Sequence, residues 1–190
     1  MKKTYKVNEI FYSLQGEGRN TGRAAVFIRF SGCNLKCSFC DTDFKLHHEM
    51  TAEAIVDAVR EWKTAGFVVL TGGEPTLQVD SKLIDALHAE DFYVAMESNG
   101  TNVPPPNLDW LTISPKEHVV VTECNELKCI FDGQKPVDDL EIEADYYYLQ
   151  PCDVGNDVQN RVITQACIRY IASHPKWRLS LQTHKMIGFQ

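Results

Sequence analysis

Behind a short opening strand at residues 7–13, the chain carries seven further apolar runs, at 24–30, 67–70, 92–96, 110–113, 127–131, 146–149 and 178–181. They are rich in Val, Ile, Leu, Phe and Tyr, and most end abruptly in glycines or polar residues, as buried strands do. Helical segments separate the early ones. Thr51 is a suitable N-cap for a helix over 51–65, with Ile55, Val56, Val59 and Trp62 on one face and Gly66 as its stop. A second helix over 80–90 turns Leu83, Ile84 and Leu87 inward, and a third runs over 157–173. Strand, helix, strand, helix predicts parallel βαβ units. Val103-Pro104-Pro105-Pro106 forbids a helix, and 118–125 and the acidic stretch 138–145 read as connecting loops. Seven strands with only three good helices cannot complete an eight-fold barrel and its helical ring. The expected fold class is α/β, a shortened, partly open parallel (β/α) barrel with fewer helices than strands.

In such a barrel the carboxyl ends of the strands share one face, and that face carries the site. The polar clusters fall there: Thr71-Gly72-Gly73-Glu74, Glu97-Ser98-Asn99, Ser114-Pro115-Lys116, Gln150-Pro151 and Gln182-Thr183-His184-Lys185. Any one of them is ordinary surface polarity or a tight turn. Five at successive strand ends describe a rim. Arg29, inside the run 24–30, wants a partner: either a nearby carboxylate or an anion held in a cavity.

The run 24–30 ends at Cys33-Asn-Leu-Lys-Cys37-Ser-Phe-Cys40. Three closely spaced thiolates in a loop hold three irons of a cubane cluster and leave the fourth iron open. The competing reading is a Cys3His zinc site completed by His47 or His48. A disulfide framework fits poorly, because seven cysteines is an odd number and nothing else suggests secretion. Cys124, Cys129, Cys152 and Cys167 are enough for an auxiliary cluster, but their scatter favours ordinary thiols.

At 190 residues the chain is long enough for one good core, and the expectation is a single domain, 1–190. No apolar run approaches the length of a membrane span, so a soluble, cytoplasmic protein is expected. A net charge of −7 argues against sequence-independent nucleic-acid binding. A small-molecule substrate fits better.

The C-x3-C-x2-C spacing, with Phe39 before the last cysteine, resembles the signature of the radical S-adenosylmethionine (SAM) enzymes. In that family the open iron of a [4Fe-4S] cluster chelates the methionine part of SAM, whose reductive cleavage releases a 5′-deoxyadenosyl radical, chemistry that belongs to the cofactor. The resemblance implies SAM contacts from Phe39, Gly73, Glu74, Glu97, Ser98, Asn99, Ser114, Lys116 and Gln150. Residues 13–18, Arg29, Cys40-Asp41-Thr42, Ser114-Pro115-Lys116, Gln150-Pro151 and the stretch 182–185 together are similar to the 7-carboxy-7-deazaguanine synthase family, over nearly the whole chain.

That resemblance implies radical ring contraction of 6-carboxy-5,6,7,8-tetrahydropterin to 7-carboxy-7-deazaguanine and ammonia, on the route to queuosine and related deazapurines. It implies a homodimer and a flavodoxin or ferredoxin reductant. Residue by residue, it places Thr42 on Mg2+, Gln15 and Glu17 at the pterin's guanidine-like edge, and Arg29 at the substrate carboxylate. Thr71, His184 and the terminal carboxylate of Gln190 add substrate contacts. It implies no catalytic protein side chain, since the radical itself takes the substrate hydrogen. A glycyl-radical activase shares the cysteine loop, and a zinc-stabilised binding module or an iron–sulfur electron carrier are readings of another class. The activase would not need the Gln182-Thr183-His184 end or Thr42, and neither the zinc module nor the electron carrier explains the rim of polar strand ends.

Overall fold

The computed structural model describes residues 2–38, 40, 46–137 and 139–189. The elements in order are β1 (Thr4–Leu14), β2 (Ala24–Phe30), β3 (His48–Thr51), α1 (Ala52–Val59), β4 (Phe67–Gly72), α2 (Ser81–His88), β5 (Tyr93–Ser98), β6 (Trp110–Ile113), β7 (Glu123–Phe131), β8 (Glu143–Pro151), α3 (Asp157–Ser173), β9 (Arg178–Leu179) and α4 (Thr183–Ile187). They form one nine-stranded sheet in the order β3-β1-β2-β4-β5-β6-β7-β8-β9. The strands from β2 through β9 along that order pair in parallel. β1 runs antiparallel to both β2 and β3. Among the described residues β3 and β9 do not pair with each other, so the barrel stays open, as expected from too few helices.

Period-two alternation sorts the strands into two faces. Val26, Ile28, Val68, Leu70, Val94 and Met96 pack outward on Ile55, Leu83 and Leu87 of α1 and α2. Leu127, Cys129 and Leu149 pack outward on Cys167 of α3. The alternate residues Ala25, Phe27, Phe67, Val69 and Ala95, with Phe11 and Trp110, form an apolar floor inside the barrel. Replacing a fully buried leucine such as Leu70 by Ala would cost roughly 2–5 kcal/mol. The exposed ion pair between Lys2 and Glu53 of α1 is screened by solvent, so the apolar layer is what seats α1 and α2.

The Thr51 hydroxyl caps its helix as expected, accepting from Ala54 N at 3.3 Å, and Asp80 Oδ1 caps the second by accepting from Leu83 N at 3.2 Å. The helix expected over 51–65 is broken. After Val59 it tightens into a 3₁₀ stretch, where Trp62 leaves helical geometry and stacks on Tyr12 of β1 before left-handed Gly66 ends it. Further differences concern length or existence, beginning with β1, which starts at Thr4 and not Val7. β3 was not anticipated. β7 and β8 begin earlier than expected, because Glu123 pairs with Glu143 and Cys124 with Ala144 through backbone bonds that need no apolar side chain. β9 spans only Arg178–Leu179. Residues 183–187, expected as loop, form α4. No helix among the described residues is long and apolar enough to cross a membrane.

Candidate active site

A cavity of about 900 Å³ opens at the carboxyl ends of the strands, at the upper end of the range for small-molecule sites. Phe27 and Phe11 reach its base, and Cys33, Cys37 and Cys40 stand on one wall. All seven cysteines are thiols outside any disulfide. Burial pushes the Cys33 thiol up, opposed by the Leu35 N–H that reaches its sulfur at 3.4 Å.

The cysteine loop is fastened by backbone. Gly73 N donates to Phe30 O and Glu74 N to Gly32 O, both at 2.8 Å. A Cβ on Gly73 would stand 1.9 Å from Gly32 O, so only glycine lets the end of β4 lie against the residue that leads into Cys33. Behind this turn, fully buried Glu74 accepts at one oxygen from Ser98 Oγ (2.8 Å) and Thr76 Oγ1 (2.6 Å) and at the other from Asn99 N (2.7 Å). Its carboxylate thus ties the ends of β4 and β5 and is not on the cavity wall. Asn99 Nδ2 reaches Asn34 of the cysteine loop at 3.0 Å.

The opposite wall is charged. Lys128 of β7, only 3% exposed, has its ammonium on the Glu17 carboxylate and 3.7 Å from Glu97 Oε2. Glu17 Oε1 also receives Gln182 Nε2 at 2.9 Å and Gln150 Nε2 at 3.3 Å. Gln15 Nε2 donates to Glu97 Oε1 at 2.9 Å, while Gln15 Oε1 accepts from Glu17 N at 3.1 Å. Burial alone would raise Glu17; Lys128 outweighs it and holds the carboxyl well below its ordinary value. Lys128 in turn is raised, because Glu17, Glu97 and Glu126 together outweigh its burial. Glu126, on the same inner face of β7, accepts from Arg19 N at 2.8 Å. Burial pushes its carboxyl up to about 6 against the pull of Lys128.

Arg29 finds the carboxylate partner of its first reading. Its Nε donates to Glu9 Oε1 of the neighbouring strand at 2.7 Å, and it lines the cavity. Lys116 Nζ donates to Ser114 O (2.9 Å) and Oγ (2.5 Å). Burial, with Lys128 nearby, pulls this amine down to about 8. The last segment closes over the first loop: Thr183 N and Oγ1 both donate to Gly16 O, at 3.0 and 2.9 Å. The His184 ring fills the space a Cβ on Gly16 would take.

Of the residues singled out from sequence, Gln15, Glu17, Arg29, the three cysteines, Thr71, Gly73, Glu97, Ser98, Asn99, Ser114, Lys116, Gln150 and His184 share this one cavity. Phe39, Thr42 and Gln190 lie outside the described residues. Lys128 and Glu126 were not singled out. Their signal was the alternation Glu126-Leu-Lys128-Cys-Ile130, which ordinarily marks a solvent face and here marks a barrel interior. Of the remaining cysteines, Cys129 and Cys167 are packed in the α3 core, Cys124 packs against it, and Cys152 is buried at the cavity edge.

Among the described residues no three His, Cys, Asp or Glu side chains are placed to hold a single metal ion. A tetrahedral zinc needs such convergence; a cubane does not, since it takes each thiolate at a separate iron corner. Three thiols on one loop, beside a glycine turn with bare backbone and facing one cavity, fit the cluster as a donor set.

A family model for the radical SAM superfamily matches residues 27–114. A 7-carboxy-7-deazaguanine synthase of Bacteroides thetaiotaomicron is 49% identical over 187 residues, covering 97% of this chain and 98% of that protein. The enzyme of the same name from Haemophilus influenzae is 34% identical over 98% of this chain and 94% of its own length. The crystal structure of QueE from Escherichia coli matches with a TM-score of 0.75 at 28% identity, over 94% of this chain and 93% of that one. The open barrel is therefore of the radical SAM type, and the chain belongs to the 7-carboxy-7-deazaguanine synthase family.

Proposed function

We propose that this chain converts 6-carboxy-5,6,7,8-tetrahydropterin to 7-carboxy-7-deazaguanine and ammonia, in 7-deazapurine biosynthesis, as a single radical SAM domain. The observation that carries the reading is one cavity lined by three thiols on one loop and by the Glu17 carboxylate, which Lys128, Gln150 and Gln182 hold. When bound, the [4Fe-4S] cluster on Cys33, Cys37 and Cys40 and SAM supply the hydrogen-abstracting radical.

The side chains bind and orient. Glu17 offers the acceptor capacity left on its carboxylate to the N–H groups of the pterin's pyrimidine edge, with Gln182 and Gln150 already on Oε1 and Lys128 on Oε2. Gln15 fixes the Glu17 backbone. Arg29, steadied at Nε by Glu9, presents its terminal nitrogens to the substrate carboxylate, and Thr71 and His184 add hydrogen bonds on either side. Glu97, Ser98, Asn99, Ser114, Lys116 and Gln150 face SAM, with Gly73 giving it backbone approach. Thr42, two residues past Cys40, supplies a hydroxyl to Mg2+, a hard ion suited to oxygen ligands. The apolar floor of Phe11, Phe27 and Val69 keeps bulk water from beneath the reacting ring.

Substrate minus ammonia is the product, so no external oxidant is required and SAM acts catalytically. The reading includes a homodimer in the cytoplasm, reduced by a flavodoxin or ferredoxin. The test is an anaerobic assay of reconstituted protein with SAM, dithionite, Mg2+ and the carboxytetrahydropterin. The expected result is a deazapurine chromophore in excess over SAM consumed. SAM cleavage to 5′-deoxyadenosine without any deazapurine would refute the substrate.

A further inference from the structure

Four side chains on three separate parts of the chain form a closed ring at the charged wall. Glu17 N donates to Gln15 Oε1, Gln15 Nε2 to Glu97 Oε1, and Lys128 joins Glu97 Oε2 back to Glu17 Oε2. Lys128 is the only cation in this ring, and it is more deeply buried than either carboxylate it touches. A buried lysine is retained only with its charge compensated, and here its two partners are residues aimed into the cavity. We infer that Lys128 is a positioning residue that keeps Glu17 ionised and aimed at the pterin edge, acting on the substrate through Glu17 and not by contact with it. This rests on the substrate reading above.

The charge arithmetic favours that role. Without the ammonium, burial would raise the Glu17 carboxyl, leaving a neutral acid that competes with the substrate's N–H groups as a donor. Glu97 and Glu126 from β5 and β7 would push in the same direction as like charges. His184 from α4 opposes this when protonated, and Lys116, whose own amine responds to Lys128, is the other cation facing the group. Glu97 suffers less, because Gln15 still holds it and its contact with Lys128 is the longer one.

The experiment measures anaerobic binding of the carboxytetrahydropterin and of SAM to reconstituted wild type, K128M, E17Q and E17Q/K128M across pH 5.5–8.5. Infrared spectra of the protonated-carboxyl band are recorded without substrate. K128M should bind the pterin about 10- to 100-fold more weakly, the range for a misplaced charge-assisted hydrogen bond, with a new loss of affinity toward acid pH. SAM affinity should stay within about threefold. E17Q/K128M should bind no worse than E17Q. A protonated-carboxyl band additional to that of Glu126 should appear near neutral pH in K128M and be missing from E17Q/K128M, in which only the Glu126 band remains. Wild-type pterin affinity in K128M, parallel loss of SAM and pterin binding, or losses that multiply in the double variant each overturn the inference. If K128M does not fold, K128R carries the test: its broader head group should weaken pterin binding about 3- to 10-fold, and a loss that persists in E17Q/K128R overturns it. A wild type that ignores the pterin refutes the substrate reading, while the infrared comparison still decides whether Lys128 governs Glu17.

Discussion

The cysteine-loop wall of the cavity, which falls within the residues 27–114 matched by the superfamily model, and the charged wall, which draws Glu17 from before that stretch, Glu97 from within it and Lys128, Gln150 and Gln182 from after it, are built by different means. The first wall is made with backbone. Cysteine loop and glycine turn meet main chain to main chain at Gly32 and Gly73, and the nearest buried carboxylate, Glu74, is fully consumed by internal hydrogen bonds. The second wall is made with charge. Lys128, Gln150 and Gln182 converge on Glu17, Lys128 also reaches Glu97, and Lys128, Glu17 and the neighbouring Glu126 shift one another's ionisation. Backbone geometry suits a group that every member of a superfamily must hold in one pose. A tunable set of charges suits a substrate that distinguishes one member from another.

The strongest challenge to that division is Cys37→Ala. It should reduce both 5′-deoxyadenosine release and deazapurine formation to background and lower the iron count below four per chain. Retained SAM cleavage would break the assignment of the first wall. Next in size is Gly73→Ala, whose methyl meets a backbone carbonyl with nowhere to go. It should destabilise the fold by about 1–3 kcal/mol, seen in urea unfolding, with poorer cluster incorporation.

For the charged wall, Glu126→Gln isolates one titration. The folded carboxyl sits at about 6 against 4.5 in the unfolded chain. The native state therefore binds more protons between those values, and wild-type stability falls as pH rises through that window, by about 2 kcal/mol. Glu126→Gln should flatten that slope, as unfolding at pH 4.5, 5.2 and 6.5 will reveal. A slope unchanged in the variant would place the titration elsewhere. The smallest effect is expected for Gln182→Ala, which removes one donor to Glu17. The pterin KM should rise roughly threefold to tenfold while SAM cleavage in the absence of substrate stays the same.

The first wall was legible from sequence because its signals are local. Cysteine spacing, the Gly72-Gly73 pair and the cap Thr51 each act within a few residues of where they are read. The alternation of strands and helices gave the open parallel barrel for the same reason. The second wall was legible only in part. Glu17, Gln150 and His184 stand beside glycines or at strand ends, but Lys128 and Glu126 sit mid-strand in a charged-apolar alternation. Such a pattern says that one face is polar; only closure of the sheet decides whether that face meets water or other side chains. β3 escaped notice because His48, Glu49, Met50 and Thr51 bury little, and their strand exists through pairing with Thr4–Val7 of β1. The early starts of β7 and β8 escaped for the same reason.

The clasp of Thr183 and His184 on Gly16 spans 167 positions of sequence. A polypeptide emerging from the ribosome therefore exposes its thiols and glycine turn long before the loop around Glu17 has its cover. The turn at Gly73 closes on contacts made within the first half of the chain, whereas Gly16 gains its cover and Glu17 its Gln182 donor only once the last segment docks, so losing that tail would uncover the loop around Glu17 and leave the cysteine turn's own backbone contacts in place.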